Sequence, residues 1–290
     1  MQNQGHDNTL AQSKTRIAIT GASGMLGQAL CKSFSKHSVS ALSSKDLDVT
    51  SLPAARALFS DLRPHWIFHA AAFTDVDGAE LNAAEAYRIN ALGTRNVATA
   101  AFENQCRLLY YSTDYVFDGK LNRSYREWDS VGPVNEYGRS KLAGELFVRS
   151  LCPSHLIVRT SGLFGPGGSH FVDKILQRAK KKEHLQVVDD QRGSPTFTSD
   201  LAYLTLCLVE AEKRGTYHAT NSGDCSWYEF ACKIVSLSGL DVQIDPVASS
   251  TFPAPAQRPP FSVLHNYCLE LEGIPLLRSW GSALDSFLKI

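Results

Sequence analysis

The first 160 residues alternate two patterns of apolar positions. Arg16–Thr20, Val39–Leu42, Trp66–His69, Leu108–Ser112 and His155–Arg159 are short, nearly continuous apolar runs and are predicted as strands. Between them the apolar positions recur every three or four residues. Met25–Phe34 puts Leu26, Leu30 and Phe34 on one helical face, and Pro53 suits the first turn of a helix carrying Leu58 and Leu62. Asn82–Phe102 and Tyr137–Ser150 read as further helices. Apolar strands alternating with amphipathic helices specify a parallel sheet covered on both faces, with right-handed crossovers.

After Gly165 the rhythm loosens. Gly165-Pro166-Gly167-Gly168 reads as a loop, and Phe171–Lys182 as a helix whose closing Lys180-Lys181-Lys182 is a solvated end that favours the helix dipole. Pro246, followed by Pro253, Pro255, Pro259 and Pro260 within 247–260, predicts a long loop. The expected organisation is a main domain over 15–165, with returns to it near 190–220, and a smaller lobe made mainly of 166–290. Residues 1–14 are polar, lack the apolar centre of a signal peptide and read as a disordered leader.

Lys plus Arg and Asp plus Glu number 29 each in 290 residues, so the net charge is zero. That balance argues against a nucleic-acid or membrane-surface partner, and no apolar run is long enough to cross a bilayer. Seven cysteines are present without a Cys-x-x-Cys pair or a histidine cluster at zinc spacing. They read as reduced thiols of a cytoplasmic protein, and no metal site is expected.

Gly21-x-x-Gly24-x-x-Gly27 leaves the first strand and opens the first helix. Glycines in that context let backbone approach a pyrophosphate, whose charge the helix N-terminus meets. The fold class expected is thus α/β, a Rossmann-type doubly wound parallel sheet with a smaller C-terminal lobe for substrate. Cofactor contacts are expected from Gly21, Ser23, Gly24, Met25, Leu26 and Gly27. The second strand ends in Leu42-Ser43-Ser44-Lys45, where an NAD-binding chain would carry an acidic residue. Ser43 and Ser44 suit a 2′-phosphate, which favours NADPH and leaves NADH open, since Asp46 is close. Asp48 and Val49 are expected to begin another short strand and to touch the adenine.

Tyr137 and Lys141 stand four apart on one helix face. An ammonium there is expected to pull the phenol below its usual value of about 10 and make it a proton donor to a carbonyl. Thr113, closing the strand Leu108-Leu109-Tyr110-Tyr111-Ser112, lies where parallel sheets bind ligands and can hydrogen-bond the same oxygen. Alone, Tyr-x-x-x-Lys is common on surface helices and a strand-end Thr often only caps a turn. Their order after the glycine turn gives them weight.

Four segments carry a family resemblance: Gly21–Gly27; Ala70-Ala71-Ala72-Phe73-Thr74-Asp75-Val76-Asp77-Gly78-Ala79-Glu80; Tyr111-Ser112-Thr113-Asp114-Tyr115-Val116-Phe117-Asp118-Gly119; and Tyr137-Gly138-Arg139-Ser140-Lys141-Leu142-Ala143-Gly144-Glu145. Arg159-Thr160-Ser161, Asp190–Thr196, Gly215–His218 and Arg258-Pro259 extend it. The chain from Arg16 onward resembles the dTDP-4-dehydrorhamnose reductases of the extended short-chain dehydrogenase/reductase family. The resemblance implies reduction of the C4 ketone of a dTDP-linked keto-sugar, dTDP-4-dehydro-L-rhamnose, for cell-surface polysaccharide. It implies a Thr113, Tyr137, Lys141 triad, cofactor contacts from Ala70, Ala71, Ala72 and Thr74, and substrate near Val76, Asp114, Tyr115 and the loop after Ser161. It makes Arg258 a candidate for the diphosphate, a role a guanidinium in a proline-stiffened loop suits.

The chain departs from the family at Gly162, where the family has a Trp that packs on the sugar. Either Leu163 or Phe164 fills that space or the sugar is another 4-keto-6-deoxy hexose. A non-catalytic relative, the regulatory beta subunit of methionine adenosyltransferase, has lost parts of this active site, whereas here all three triad residues are present. Some family members are magnesium-bridged dimers, but no such acidic set maps here. A monomer or a homodimer is expected.

Overall fold

The computed structural model describes residues 14–290; residues 1–13, nearly all of the expected leader, lie outside the described residues. Five strands are β1 (Arg16–Thr20), β2 (Ser38–Leu42), β3 (Trp66–His69), β4 (Arg107–Thr113) and β5 (His155–Thr160). A sixth, Gly215–His218, pairs with β5. The sheet order is Gly215–His218, β5, β4, β3, β1, β2, all parallel. The expected doubly wound sheet is therefore present. Its order reverses between β1 and β3, and a crevice opens there at the strands' carboxyl ends.

Burial follows the strand pleat. Ile17, Ile19, Phe68, Leu109 and Leu156 point into one apolar layer, and Ala18, Ile67, Leu108 and Ile157 into the other. The first layer is closed by α1 (Met25–Ser33) and by the helix Thr198–Glu210, through Leu30, Phe34, Leu201 and Leu208. The second is closed by α2 (Leu52–Leu62), which adds Phe59, and by the helices that follow β3. Each such fully buried side chain contributes about 1.5–3 kcal/mol. The helix Thr198–Glu210 and the strand Gly215–His218 are where the chain rejoins the sheet after its excursion.

The expected single helix over 82–102 is not continuous. After α3 (Val76–Leu81) the chain forms α4 (Ala83–Tyr87), a π-helical segment Arg88–Gly93, and α5 (Thr94–Glu103). The wide turn faces Asn90 inward, where its amide bonds both backbone groups of Phe73 (2.8 and 3.0 Å) and the Ser140 hydroxyl (3.0 Å). π-turns commonly occur beside functional sites, and this one brings Arg88 and Ile89 to the crevice.

The helix α6 (Glu136–Leu151) starts at Asn135, whose side chain accepts from Gly138 N at 2.8 Å and donates to Gln257 O at 2.8 Å. Farther along, Glu145 meets Arg159 of β5 in a buried two-point ion pair, 2.8 Å on each arm. The orientation of α6 against the sheet is thus held at both ends.

Most of the remaining C-terminal residues build a third core. Phe164, Val172, Ile175, Phe230, Ile234 and Leu284 are buried together, with Phe164 stacked on Phe197 at 5.6 Å. Residues 248–260 form the expected loop, interrupted only by a 3-10 turn at Ser249–Thr251, and a short strand leads into it. Ile244–Val247 pairs in parallel with Leu185–Val188, and Pro246 is accommodated because this two-stranded pair has open edges.

Candidate active site

The crevice is a cleft of about 1120 Å³ running along the carboxyl ends of the sheet. Gly21, immediately after β1, has φ +69°. A Cβ there would stand 2.6 Å from Ala71 N, and one on Gly27 would stand 2.2 Å from Gly21 O. The turn therefore presses directly on the Ala70–Ala72 segment after β3 and on its own helix. Gly24 caps α1 without any side-chain hydrogen bond, so the helix's leading amides point into the cleft with no protein side-chain partner. Gly21, Ser23, Gly24, Met25, Leu26, Gly27, Ala70, Ala71, Ala72 and Thr74 all line it.

Ser43, Ser44, Asp48 and Val49 line the far end. Ser43 is engaged, since its N–H (2.8 Å) and hydroxyl (2.6 Å) both donate to Asp46. That leaves Ser44 as the free hydroxyl. Residues 48–49 do not begin a strand as expected. Asp48 accepts from Thr50 N (2.9 Å) and Thr50 Oγ1 (2.8 Å), and this side-chain turn bends the chain instead.

Thr113, Tyr137 and Lys141 share the cleft wall opposite the glycine turn. Lys141 is buried, donates to Tyr111 O at 2.6 Å and lies over the Tyr110 ring at 4.2 Å. Burial pulls its pKa down to about 7 against the raising effect of Glu145. Tyr137 does not follow the expected downward shift. Its phenol is pushed up to about 12 by burial and by the charge of Asp114, with the Thr113 hydroxyl opposing. The ammonium is turned to a backbone carbonyl, so desolvation decides the phenol's state. At neutral pH Tyr137 is a phenol holding its proton.

Asp114 is buried beside them. It accepts from Thr113 Oγ1 (2.9 Å), Ser161 Oγ (3.1 Å) and Ser262 Oγ (2.5 Å). Burial raises its pKa to about 6, with the three hydroxyls opposing. The Tyr115 ring meets that of Tyr137 edge-on, centroids 6.1 Å apart.

On the sugar side, Val76, Tyr115 and Gly162 line the cleft. Val76 and Tyr115 also line an adjoining cavity of about 650 Å³, and this second cavity is where Arg258 is found. Arg258 alone of the predicted residues stands outside the cleft. Its guanidinium is paired two-point with Asp77, at 2.6 and 2.7 Å.

Gly162 has φ +53°, and a Cβ there would meet Pro195 Cα at 3.2 Å. The backbone at this position is therefore left-handed, a conformation that costs a side chain about 1–2 kcal/mol. Both residues expected to fill the space line the cleft and are engaged elsewhere, Phe164 buried in the third core and Leu163 packing on the sheet's core. The aromatic surface lies elsewhere. Phe171 and Trp227, ring centroids 4.8 Å apart, line both the cleft and the adjoining cavity.

Ser262, Trp227, Phe171 and Asn90 were not singled out from the sequence. Each acts across more than 15 residues of chain, and none sits in a spacing that signals chemistry. Four polar atoms of cleft-lining residues, Ser112 Oγ, Thr160 Oγ1, Ser194 Oγ and His170 Nδ1, are buried without a hydrogen-bond partner among the described residues. Together with the uncapped helix end and the glycine cradle, they fit a bound dinucleotide and polar substrate. All seven cysteines are unpaired. No helix among the described residues is long and apolar enough to cross a membrane.

A model of the RmlD substrate-binding-domain family matches residues 15–290. The chain is 39% identical over 277 residues to the spore coat polysaccharide biosynthesis protein SpsK of Bacillus subtilis, covering 95% of this chain and 97% of the relative. It is 39% identical over 288 residues to a dTDP-4-dehydrorhamnose reductase of Mycobacterium tuberculosis, covering 96% and 94%. The crystal structure of a dTDP-4-dehydrorhamnose reductase from Bacillus anthracis in complex with NADP matches it with a TM-score of 0.93 at 41% identity, over 95% of this chain and 99% of that one.

Proposed function

The chain belongs to the RmlD substrate-binding-domain family, and on that premise we propose that it is an NADPH-dependent reductase of the C4 ketone of dTDP-4-dehydro-L-rhamnose. The product is dTDP-L-rhamnose, a precursor for polysaccharide. The observation that carries the reading is the convergence of Thr113, Tyr137 and Lys141 on the cleft that the glycine turn opens.

The glycine turn, the first amides of α1 and Ser44 would hold the dinucleotide, with Asp48 and Val49 at its adenine end. A hydride is what the nicotinamide supplies when bound. Tyr137, as a neutral phenol, donates a proton to the C4 oxygen as that oxygen gains charge. Thr113 orients the oxygen by hydrogen bonding, and Lys141 would hold the nicotinamide ribose. Val76 and Tyr115 bound the sugar, while Arg258 stands in the adjoining cavity as the candidate for the diphosphate.

Within this reading 15–165, with the returning 198–218, binds the dinucleotide, and the rest of 166–290 mainly binds the nucleotide sugar. The proposal includes a cytoplasmic location, where reduced cysteines persist, and a monomer or homodimer. A second substrate has support from Gly162: the missing ring leaves room for a different 4-keto-6-deoxy sugar.

The test is loss of reduced-nicotinamide absorbance with dTDP-4-dehydro-L-rhamnose and a panel of related 4-keto nucleotide sugars. Tyr137→Phe should lower kcat by roughly 10²–10⁴-fold while leaving NADPH affinity within about twofold. Unchanged turnover in that variant would remove the assigned acid.

A further inference from the structure

Thr113 has one hydroxyl proton, and in this structure it is already committed. Thr113 Oγ1 donates to Asp114 Oδ1 at 2.9 Å and accepts from Tyr115 N at 3.2 Å. The lone pair left over, which the Tyr137 phenol reaches, can receive a hydrogen bond and cannot donate one. The ketone oxygen of the substrate is an acceptor and gains charge as it is reduced, so it needs a donor. With the Asp114 carboxylate ionised, Thr113 offers that oxygen nothing.

The other two bonds to Asp114 show how the conflict is relieved. The two serines converge on one carboxylate oxygen: Ser161 Oγ (3.1 Å) and Ser262 Oγ (2.5 Å) both donate to Oδ2. Oδ1 is left to Thr113 alone. A proton on Oδ1 therefore disturbs neither serine. It reverses one bond, so that Oδ1–H donates to Thr113 Oγ1 and the threonine proton is released toward the cleft.

We propose that Asp114 is a positioning residue whose protonation on Oδ1 turns the Thr113 hydroxyl from the carboxylate toward the substrate's carbonyl oxygen. The inference rests on the reductase reading above and deepens it. Asp114's proton comes from solvent and is not consumed. The proton that ends on the product leaves Tyr137. The same protonation removes the negative charge that raises the Tyr137 phenol, so both groups facing the carbonyl improve together.

The groups around Asp114 are few. Tyr137 faces it from α6 and Tyr115 from its own turn, both phenols that keep their protons at neutral pH. Ser161 follows β5 and Ser262 follows the proline-rich segment, and both are neutral. Lys141 lies deeper on α6 against Tyr111 O, and Arg258 reaches Tyr115 but is paired with Asp77. Among the described residues no cation pairs with the Asp114 carboxylate, so burial lifts its pKa to about 6.

The experiment is the pH profile of kcat between about pH 5 and 8 for the wild type, Asp114→Asn and Asp114→Ala, with NADPH affinity measured in parallel. Asn at this position carries an acceptor for the two serines and an N–H donor for Thr113, matching the protonated acid. The wild-type kcat should fall roughly tenfold as pH rises from about 5.5 to 7.5. Asp114→Asn should lose that fall and equal or exceed the wild type at the alkaline end, whereas Asp114→Ala should be slow throughout. An Asn variant that keeps the wild-type profile, or a wild type without the fall, overturns the proposal.

A carboxyl-carbon NMR titration of Asp114 in the ligand-free protein separates this from failure of the reductase reading. Thr113→Val removes a donor to the charged form, so the Asp114 midpoint should move up by roughly half a unit or more. No movement means the carboxylate does not hold that hydroxyl, whatever the enzyme reduces. Movement in a protein that turns over no keto-sugar would sink the reductase reading and leave the coupling standing.

Discussion

Two glycines in left-handed conformation follow two strands of the same sheet, and they behave differently. Gly21 after β1 has backbone at 2.6 Å from where its Cβ would be, while Gly162 after β5 has its nearest neighbour at 3.2 Å. The first turn is wedged against the segment after β3, so it leaves no room for variation. The second borders open cleft, with Ser194 and Pro195 on one side only. The dinucleotide end of the site is thus shaped by backbone packing, and the sugar end by which side chains surround a space.

Substitutions should split along that line. The largest effect is expected from Gly21→Ala, which adds both a disfavoured φ and a backbone overlap. It should weaken NADPH binding by more than about tenfold, read by fluorescence titration, and lower Tm by on the order of 5–10 °C. A variant with wild-type affinity would show that the turn is not the pyrophosphate cradle. Trp227→Ala comes next. Loss of an aromatic face worth about 1–1.5 kcal/mol should raise KM for the keto-sugar roughly five- to tenfold with NADPH affinity unchanged. Equal loss of both affinities would erase the distinction between the two ends. Gly162→Ala is the mildest, costing about 1–2 kcal/mol of stability through its positive φ. Thermal unfolding should show a drop of a few degrees with kcat and NADPH affinity nearly intact. A large loss of kcat there would make the second turn as constrained as the first.

Much of the sheet and one end of the site could be read along the chain. β1, β3 and β5 have the predicted residues to within one position, because a strand buried on both faces must be apolar throughout. The glycine turn was legible because its three glycines answer a local steric demand. Tyr137 and Lys141 were legible because helical spacing brings them to one face. The break at Arg88–Gly93 was not, since it depends on Asn90 reaching Phe73 and Ser140 from elsewhere in the chain. Nor was the state of the Tyr137 phenol. Spacing put an ammonium one turn away, but Lys141 turns to Tyr111 O and burial raises the phenol.

The order of residues sets which groups are available: a strand–glycine–helix turn, a Thr at a strand end, a Tyr and a Lys on one helix. These are consequences of covalent spacing and periodicity, which act within a few residues. What those groups can do follows from how the chain packs. It brought Ser262 across 148 residues to Asp114, turned the Thr113 hydroxyl toward that carboxylate, and sent Arg258 into the adjoining cavity with Asp77. Protonation state and hydrogen-bond direction depend on burial and on partners distant in sequence, and both exist only once the chain has packed.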